Sequence, residues 1–392
     1  APRTFEDALT FLLAMYAAVP SITGYPVYLG DLDRLLEPFA ADGSDAELVA
    51  DIYPGPESGY PRALTVFKGQ LYFAAGTPAS GQELFRYDGT TVEQFTDIKP
   101  GAGDAWAGFG KDTILDGYAY FLADDGVHGM ELWRTDGENT ELWLDATPGA
   151  EGSYFFSLKA AGGRLYFATR TDYGLNTRAW RSDGVTNDVL GNFEIWQTTQ
   201  VGQRVYLLSG HSLMVVTGPD RQPEYKSLPF SAEVDNLTAI GNSLYFTATD
   251  RVHGSEPWRI KDGKLELLGS EAYDDQGSIG WYPGQTGPFV EFDGEAFITM
   301  SDSRYGSELW KVQDGKAVLF KDILPGRDSG LPGLYTHFGD EVYFIADDGV
   351  HGHELWHLFG DDEVGIVVPA QSPKIRNQAT SVSLGCPASE QA

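Results

Sequence analysis

One stretch of the chain is repeated, and this repetition limits the possible folds more than any other feature. Residues 120–137 have the sequence YFLADDGVHGMELWRTDG, and residues 343–360 repeat it almost letter for letter as YFIADDGVHGHELWHLFG. A looser copy occupies residues 245–263, and more divergent copies begin at Tyr72, Tyr166 and Phe297. Such self-similarity is typical of folds assembled from copies of one supersecondary unit.

Each copy carries the signals of four short strands. The Tyr-Phe and Glu-Leu-Trp runs flank a polar Gly/His loop, and the Asp-Gly pair that follows favours a tight hairpin turn into a fourth strand. After that strand comes Asp-x-x-Pro-Gly, here called the exit motif, which forces a chain reversal; it begins at Asp51, Asp97, Asp145 and Asp322. Four antiparallel strands in a unit of about 45 residues describe a propeller blade, so we predict an all-β β-propeller.

The number of blades depends on the N-terminal region. The aromatic residue of the second strand occurs seven times, at Tyr72, Tyr120, Tyr166, Tyr206, Tyr245, Phe297 and Tyr343. Residues 26–55 resemble strands two to four of a further blade, with Asp42-Gly43 as its turn. We therefore predict eight blades over residues 26–370, with seven as the alternative. The missing inner strand would come from the apolar residues 10–19 of the N-terminal segment 1–25. Alternatively, the tail 371–392 would close the ring, which removes exposed sheet edges.

The charge and cysteine content exclude several classes of partner. The formal net charge is −30, which argues against nucleic acid and anionic membranes because both require a basic surface. No segment is long and apolar enough to span a membrane. The single cysteine, Cys386, is unable to form an internal disulfide. The chain starts Ala-Pro-Arg, which fits a mature exported protein, so we expect an extracellular or cell-surface location.

The repeated motif also resembles a known family. The pattern HGxELWxxDG, together with the exit motif, looks like the ELWxxDGT repeat family, some of whose members are described as hyalin-like. The resemblance covers roughly residues 37–360. It implies a secreted or surface propeller of bacterial origin and implies no particular reaction.

The repeated His and Asp residues are candidate ligands. His128, His253 and His351 each follow an aspartate by three residues, and this pattern is compatible with ligand or metal binding. The loop aspartates offer hard oxygen ligands for Ca²⁺; these candidates are Asp31, Asp33, Asp124, Asp125, Asp347 and Asp348. The alternative is structural, because aspartate caps backbone N–H groups in turns. Glutamates of the repeated Glu-Leu-Trp run would then lie on an exposed strand face as partners for a neighbouring blade; these are Glu131, Glu308 and Glu354. The repeated tryptophans would form the core between blades on grounds of volume; these are Trp133, Trp180, Trp258, Trp310 and Trp356.

Aromatic residues between the blades form a second candidate surface. In a propeller these segments lie beside the loops between strands two and three, so aromatic rings and carboxylates would share one face. The rings would then bind a polysaccharide or peptide, or else cover the inner strands. The candidates are Tyr60, Trp106, Tyr154, Trp281 and Tyr282.

Catalysis has weaker support in the sequence. No nucleophile elbow, phosphate loop or HExxH motif occurs. His211, Tyr173 and Arg178 belong to the divergent central repeats and would serve a lyase-type site if they converged.

The function predicted from these observations is a secreted binding or adhesion scaffold for a polysaccharide or protein partner, with Ca²⁺ as a candidate structural ion. The alternatives are an extracellular carbohydrate-active enzyme of the lyase type and a subunit of a surface assembly. In the last case the contacts would come from the N-terminal segment or Cys386, because an unpaired cysteine favours intermolecular pairing.

Overall fold

The computed structural model describes most of the repeat region and little of either terminus. The described residues are 39–41, 46–54, 57–171, 176–210, 212–218, 220–225, 233–250, 254–269, 289–302, 304–338, 341–359, 363–368 and 380–383. Within them the chain is all-β apart from one short 3₁₀ helix, Lys111–Thr113. No helix in this part of the chain has the length and apolar character needed to cross a membrane.

The strands fall into two compact units. The first unit lies within Tyr28–Lys226 and contains a two-stranded hairpin and four four-stranded sheets, here called sheets 1 to 4. Its strands are β1 (Phe39–Ala41) and β2 (Ala46–Leu48) in the hairpin; β3 (Arg62–Phe67), β4 (Gln70–Thr77), β5 (Gly81–Tyr87) and β6 (Val92–Gln94) in sheet 1; β7 (Ile114–Leu115), β8 (Tyr118–Asp124), β9 (Met130–Thr135) and β10 (Thr140–Leu144) in sheet 2; β11 (Tyr154–Ala161), β12 (Arg164–Thr171), β13 (Asn176–Ser182) and β14 (Asn187–Gly191) in sheet 3; and β15 (Gln197–Val201), β16 (Arg204–Ser209), β17 (Ser212–Val216) and β18 (Glu224–Tyr225) in sheet 4.

The described strands of the second unit form three sheets within Ser227–Ala392, two with four strands and one with five. Its strands are β19 (Glu233–Ile240), β20 (Ser243–Asp250), β21 (Gly254–Lys261) and β22 (Lys264–Leu267) in sheet 5; β23 (Val290–Phe292), β24 (Glu295–Asp302), β25 (Gly306–Gln313) and β26 (Lys316–Lys321) in sheet 6; and β27 (Gly333–Phe338), β28 (Glu341–Asp347), β29 (His353–Phe359), β30 (Glu363–Val368) and β31 (Thr380–Ser383) in sheet 7.

Each sheet is an antiparallel meander of consecutive strands, as the repeat predicts. In sheet 2, Phe121 of the second strand pairs with Trp133 of the third, and in sheet 7 Phe344 pairs with Trp356 in the same way. The indole N–H of Trp356 donates to the carbonyl of Ala346 at 3.0 Å, so the ring is anchored across its own sheet. This architecture confirms the prediction of four-stranded antiparallel units.

Successive sheets within a unit pack face to face through large side chains. Between sheets 2 and 3, Tyr120 meets Phe167 and Trp180, whose rings stack with centroids 6.1 Å apart. Between sheets 6 and 7, Trp356 packs against Phe297. In sheets 1 to 6 the second strand contains at least three consecutive buried residues, which explains its apolar sequence, whereas buried and half-buried residues alternate along β28 of sheet 7. The prediction that the repeated tryptophans are core residues is confirmed for those most deeply buried, Trp180, Trp258, Trp310 and Trp356.

Seven sheets of four or five strands agree with the alternative of seven units rather than the favoured eight. Of the eighth unit, the described residues contain only the β1–β2 hairpin, whose register matches Phe39 with Leu48. The C-terminal strand β31 pairs with β30, the last strand of sheet 7, through Ile366 and Val382. Among the described residues this part of the tail therefore extends sheet 7, and ring closure by the tail stays a prediction.

The Asp-Gly turns also connect neighbouring sheets. Gly184, in the turn of sheet 3, has φ +82°, and a Cβ built there would lie 2.9 Å from the hydroxyl of Tyr120 in sheet 2. The guanidinium of Arg134, also in sheet 2, donates to the carbonyl of Gly184 at 3.0 Å. Gly89 occupies the same turn of sheet 1 with φ +97°, but its Cβ would meet nothing within 4 Å. Both turns therefore need glycine because their backbone is left-handed. Of the two, only Gly184 also lacks room for a Cβ atom.

Alanine substitutions at Gly184 and Gly89 separate the cost of the left-handed backbone from the cost of the steric contact with Tyr120. Either glycine-to-alanine change forces a left-handed residue, which costs about 1–2 kcal/mol. We expect Gly184→Ala to lose roughly a further 1 kcal/mol, because it also overpacks against Tyr120. Urea unfolding of both variants measures the difference, and equal losses would contradict the contact between sheets 2 and 3.

Candidate functional site

The loop between β8 and β9 in sheet 2 contains three of the predicted ligands. The carboxylate of Asp125 accepts hydrogen bonds from the backbone N–H groups of Val127 and His128, both at 2.8 Å. Its other oxygen lies 2.7 Å from Nδ1 of His128. Asp124 forms an ion pair with Lys99 at 2.5 Å. Asp124 also accepts from the backbone N–H of Gly126 at 2.7 Å, so both carboxylates of this loop are engaged by protein groups.

The equivalent loop of sheet 7 repeats this arrangement. Asp348 accepts from the backbone of Val350 at 2.9 Å and of His351 at 2.8 Å, and it lies 2.8 Å from the ring Nδ1 of His351. Asp347 accepts from the backbone of Gly349 at 2.7 Å. The recurrence of the same bonds in two sheets indicates a turn-stabilising role. The remaining candidates, His253, Asp31 and Asp33, lie outside the described residues.

The hydrogen bonds in these two loops are relevant to the prediction that the loop aspartates bind Ca²⁺. No three His, Cys, Asp or Glu side chains come together as a possible metal group in the described part of the chain. The carboxylates of Asp125 and Asp348 are already engaged by backbone donors, which a cation would have to displace. Calcium binding stays a prediction.

The hydrogen bond within each pair sets the charge of the histidine. The carboxylate of Asp125 raises the pKa of His128 above its usual value. Partial burial tends to raise the pKa of Asp125, but the bonds from His128 and Val127 outweigh it, so that pKa is lowered. The protonated His128 is therefore the favoured partner, and the stabilisation of the loop is lost as the pH rises through this raised pKa.

A titration by NMR tests this pair. We expect the ring protons of His128 to titrate above about pH 6.5, the usual value for histidine. In the variant Asp125→Asn the midpoint should fall, because the negative charge is removed while the backbone caps can be retained. Identical midpoints in the two proteins would rule out the ion pair in solution.

The glutamate of the Glu-Leu-Trp run is buried in four sheets. Glu83, Glu131 and Glu308 have 0% exposure and Glu256 has 1%, whereas Glu354 of sheet 7 is exposed. The expectation that Glu131 and Glu308 sit on an exposed face is therefore wrong. The physical reason is that their carboxylates bind the backbone of the linker that leaves their own sheet.

The contacts of Glu131 show how this works. Its carboxylate accepts from the backbone of Ala146 at 2.9 Å and of Thr147 at 3.2 Å, and from the hydroxyl of Ser153 at 3.1 Å. Ala146 begins the linker to sheet 3 and Ser153 immediately precedes β11, so one side chain fastens both ends of the linker. Burial raises the pKa of Glu131 to about 7.

Glu308 makes the corresponding contacts in the second unit. It accepts from the backbone of Ile323 at 2.7 Å, of Leu324 at 3.4 Å and of Gly330 at 2.7 Å. These residues span the linker between sheets 6 and 7. Burial raises the pKa of Glu308 to about 7 as well.

The role of these glutamates can be tested in sheet 1. Glu83 is buried and accepts from the hydroxyl of Thr96 at 2.8 Å and the backbone of Lys99 at 2.9 Å. We expect Glu83→Ala to cost about 2–3 kcal/mol, because it leaves the buried hydroxyl of Thr96 and the half-buried backbone N–H of Lys99 without their acceptor. The control Glu93→Ala removes an exposed partner of Arg86 and should cost at most about 1 kcal/mol. Chemical denaturation that gave similar losses for both variants would contradict the linker role of Glu83.

Exposed aromatic rings mark the start of each sheet in the first unit. Tyr60, Trp106 and Tyr154 are 46%, 50% and 61% exposed, and each lies nine residues after the aspartate of an exit motif. Tyr60 and Trp106 have left-handed backbones with φ of 50° and 59°; Leu331, at the same position before sheet 7, has φ 50°. The left-handed backbone therefore recurs at this position in three of the four linkers that begin with an exit motif; Tyr154 does not share it. Trp281 and Tyr282 lie outside the described residues.

Sequence analysis missed one ring of this series. Trp196 precedes β15 in the divergent sheet 4 and is 48% exposed. Its indole N–H donates to Glu194 at 2.6 Å, and Glu194 also pairs with Arg170. No exit motif precedes Trp196, so its spacing gave no signal; its place just before an inner strand could have identified it. We call Tyr60, Trp106, Tyr154 and Trp196 the aromatic edge of the first unit.

The proposed catalytic residues are not brought together among the described residues. Arg178 lies exposed on β13, where it pairs in register with Thr169. His211 and Tyr173 lie outside the described residues, as does Cys386.

The fold defines an all-β protein of repeated, propeller-like sheets, and comparison with known proteins adds a different relationship at the N-terminus. A family model described as "Glycyl radical enzyme YjjI-like" matches residues 1–53. An uncharacterized protein of Haemophilus influenzae is 58% identical over 41 residues, and the uncharacterized protein YjjI of Escherichia coli K12 is 51% identical over 37 residues. These alignments cover 10% and 9% of the chain, and the chain spans only 8% and 7% of the length of these relatives.

Similar solved structures are distant. One structure from an analysis of two prolyl endopeptidases has a TM-score of 0.46 at 11% identity, covering 92% of this chain and 54% of that chain. The β-propeller domain of the Trilobed protease from Pyrococcus furiosus gives 0.41 at 11% identity, covering 80% and 99%. A puromycin-hydrolyzing peptidase from Mycobacterium tuberculosis gives 0.43 at 12% identity, covering 78% and 52%. Similarities this low support no inference of activity.

The comparisons correct two predictions. The family model that matches is the YjjI-like glycyl radical enzyme family, over residues 1–53, so membership of the ELWxxDGT family is not supported. The predicted binding or adhesion scaffold for a polysaccharide or protein partner, with its lyase and surface-assembly alternatives, is wrong for the same reason, whereas the extracellular or cell-surface location stays a prediction. The repeat motif misled because its polar residues stabilise the turns and linkers of the sheets and specify no ligand.

Proposed function

We propose that the repeated sheets form a seven-bladed β-propeller that serves as a non-catalytic accessory partner and binds a YjjI-like glycyl radical enzyme. The observation that carries this proposal is the match of residues 1–53 to that enzyme family, directly before the first four-stranded sheet, which begins at Arg62. The identities of 58% over 41 residues and 51% over 37 residues support a specific relationship rather than a chance similarity.

The seven-bladed arrangement is favoured by the way the sheets pack. Sheets 1 to 4 are joined through apolar clusters, and sheets 5 to 7 are joined in the same manner. Radial repetition of such sheets is the usual solution for four-stranded units that must bury both faces.

The non-catalytic role is favoured by how the recurring polar residues are used. Asp125 and Asp348 hold their own loops, and Glu131 and Glu308 hold the linkers. A catalytic acid or base must instead reach a substrate.

The aromatic edge is the contact surface that we propose for the enzyme. Its four rings are about half exposed, and the guanidinium of Arg62 lies 5.0 Å from the ring centre of Trp106. Large aromatic side chains with arginine beside them are enriched at protein interfaces.

A binding experiment tests the proposal. The full chain is mixed with E. coli YjjI protein at micromolar concentrations, and complex formation is followed by sedimentation velocity. We expect a complex that is weakened at least tenfold in the double variant Trp106→Ala/Tyr154→Ala, because truncating buried aromatic anchors typically costs about 2 kcal/mol or more.

The matched control is Val185→Ala, which truncates a 79% exposed apolar residue at the other end of sheet 3 and should leave the complex unchanged. Failure to form any complex would overturn the accessory role. A complex that the aromatic variants do not weaken would overturn the assignment of the aromatic edge.

A further inference from the structure

One carboxylate connects the aromatic edge with sheet 3. Oε1 of Glu194 pairs with Nη2 of Arg170 on β12, and Oε2 of Glu194 accepts from the indole N–H of Trp196 at 2.6 Å. The backbone N–H of Trp196 donates to the carbonyl of Leu208 at 2.8 Å, so sheet 4 fixes the main chain at this ring. The side chain of Trp196 is therefore held by Glu194, while its backbone is held independently.

The guanidinium of Arg170 lacks one hydrogen bond. Its Nε is buried and has no hydrogen-bond partner among the residues that the structure describes. Arg170 pairs in register with Tyr154, and its guanidinium carbon lies 4.7 Å from the ring centre of Phe156, so sheet 3 sets its position. A buried donor without an acceptor is unfavourable, because it has lost its bond to water without replacement.

Glu194 is the group that can supply the missing acceptor. Nε–H and one N–H of Nη2 point in the same direction from a guanidinium, and a carboxylate commonly binds both with its two oxygens. Glu194 already binds Nη2 through Oε1, but its Oε2 is turned to the indole of Trp196. The indole N–H of Trp196 and the Nε–H of Arg170 therefore compete for the same oxygen.

We propose that Trp196 is a movable anchor of the aromatic edge. Its ring leaves Glu194 when a partner covers the edge, and Oε2 of Glu194 then accepts from Nε of Arg170. The identity of the partner, a YjjI-like enzyme, rests on the proposed function. The exchange of the two donors depends on this chain alone.

The charges of the pair favour this exchange. The bond from Trp196 and the pairing with Arg170 lower the pKa of Glu194 despite its partial burial, so the carboxylate is ionised at neutral pH. Hydrogen bonds from a charged donor to a carboxylate are stronger than those from a neutral donor. Replacing the indole by the guanidinium therefore offsets the bond that is lost when the ring moves.

Trp106 is held in a different way. Its ring centre lies 5.0 Å from the guanidinium carbon of Arg62, and its backbone is left-handed with φ 59°. Arg62 in turn bonds with the side chain of Gln82. The ring of Trp106 is thus positioned by a contact with its face, and no carboxylate takes part in that contact. The two tryptophans of the edge are similarly exposed, at 50% and 48%, which makes Trp106 a matched control.

The first test is NMR of the arginine side-chain N–H groups in the full chain. The signal of Arg170 Nε–H is identified by its loss in Arg170→Lys. Trp196→Phe keeps an aromatic ring and removes the indole N–H, so Glu194 should turn to Arg170. We expect the Nε–H proton of Arg170 to move downfield in this variant, as a proton does when it gains a carboxylate acceptor.

Trp106→Phe provides the control, because it makes the same change at a ring that does not contact Glu194. The Arg170 signal should then stay at its native position. An Arg170 signal that is unmoved by Trp196→Phe, or that moves equally in both variants, would overturn the competition for Glu194.

The second test is binding to E. coli YjjI protein, followed by sedimentation velocity. Trp196→Ala removes the anchor and should weaken the complex at least about tenfold. Glu194→Gln keeps the ring but offers a single acceptor oxygen, which the charged Arg170 takes, so the indole is released before binding. We expect its affinity to remain within about twofold of the native value, because no bond to the indole is broken on binding.

The opposite role for Glu194 would be to hold Trp196 rigidly in its binding position. In that case Glu194→Gln would weaken the complex as strongly as Trp196→Ala, and this result would show that the anchor is not movable. If no complex forms with any protein, the proposed function fails, and the NMR comparison alone decides whether the two donors exchange.

Discussion

The linkers between sheets depend on buried carboxyl groups, and these hydrogen bonds hold the architecture together. A chain that passes between two packed sheets buries backbone N–H groups, and each must find an acceptor. Glu131 and Glu308 supply acceptors from the third strand and bind both ends of the following linker. This explains why the Glu-Leu-Trp run and the exit motif recur together. It also explains why a charged residue type is fully buried in an otherwise apolar core.

A repeated polar motif therefore indicates the architecture of the fold and does not by itself indicate a function. Asp125 with His128 and Asp348 with His351 form the same bonds in sheets of different units, as expected for a device that each repeat needs separately. Information about function is more concentrated in what the repeats do not share. One such feature is the N-terminal segment, residues 1–53, which matches a glycyl radical enzyme family.

The interfaces between sheets combine apolar packing with directional contacts. Tyr120 presents its ring to sheet 3, while its hydroxyl leaves no room for a side chain at Gly184. Arg134 donates to the same glycine carbonyl. A tyrosine, an arginine and a glycine from two repeats thus specify one interface, which is why these residue types survive in copies that have otherwise diverged.

The sequence by itself determined the strands, their hairpin turns and the core tryptophans, because each depends on local signals: Asp-Gly pairs, apolar runs and residue volume. It also identified Tyr60, Trp106 and Tyr154 as aromatic residues of the segments between the repeats. Only the tertiary structure decided the position of Glu131, whose partners are backbone amides that no side-chain pattern reveals. It likewise decided the pairing of β31 with β30, because a short polar strand binds whichever sheet edge is free.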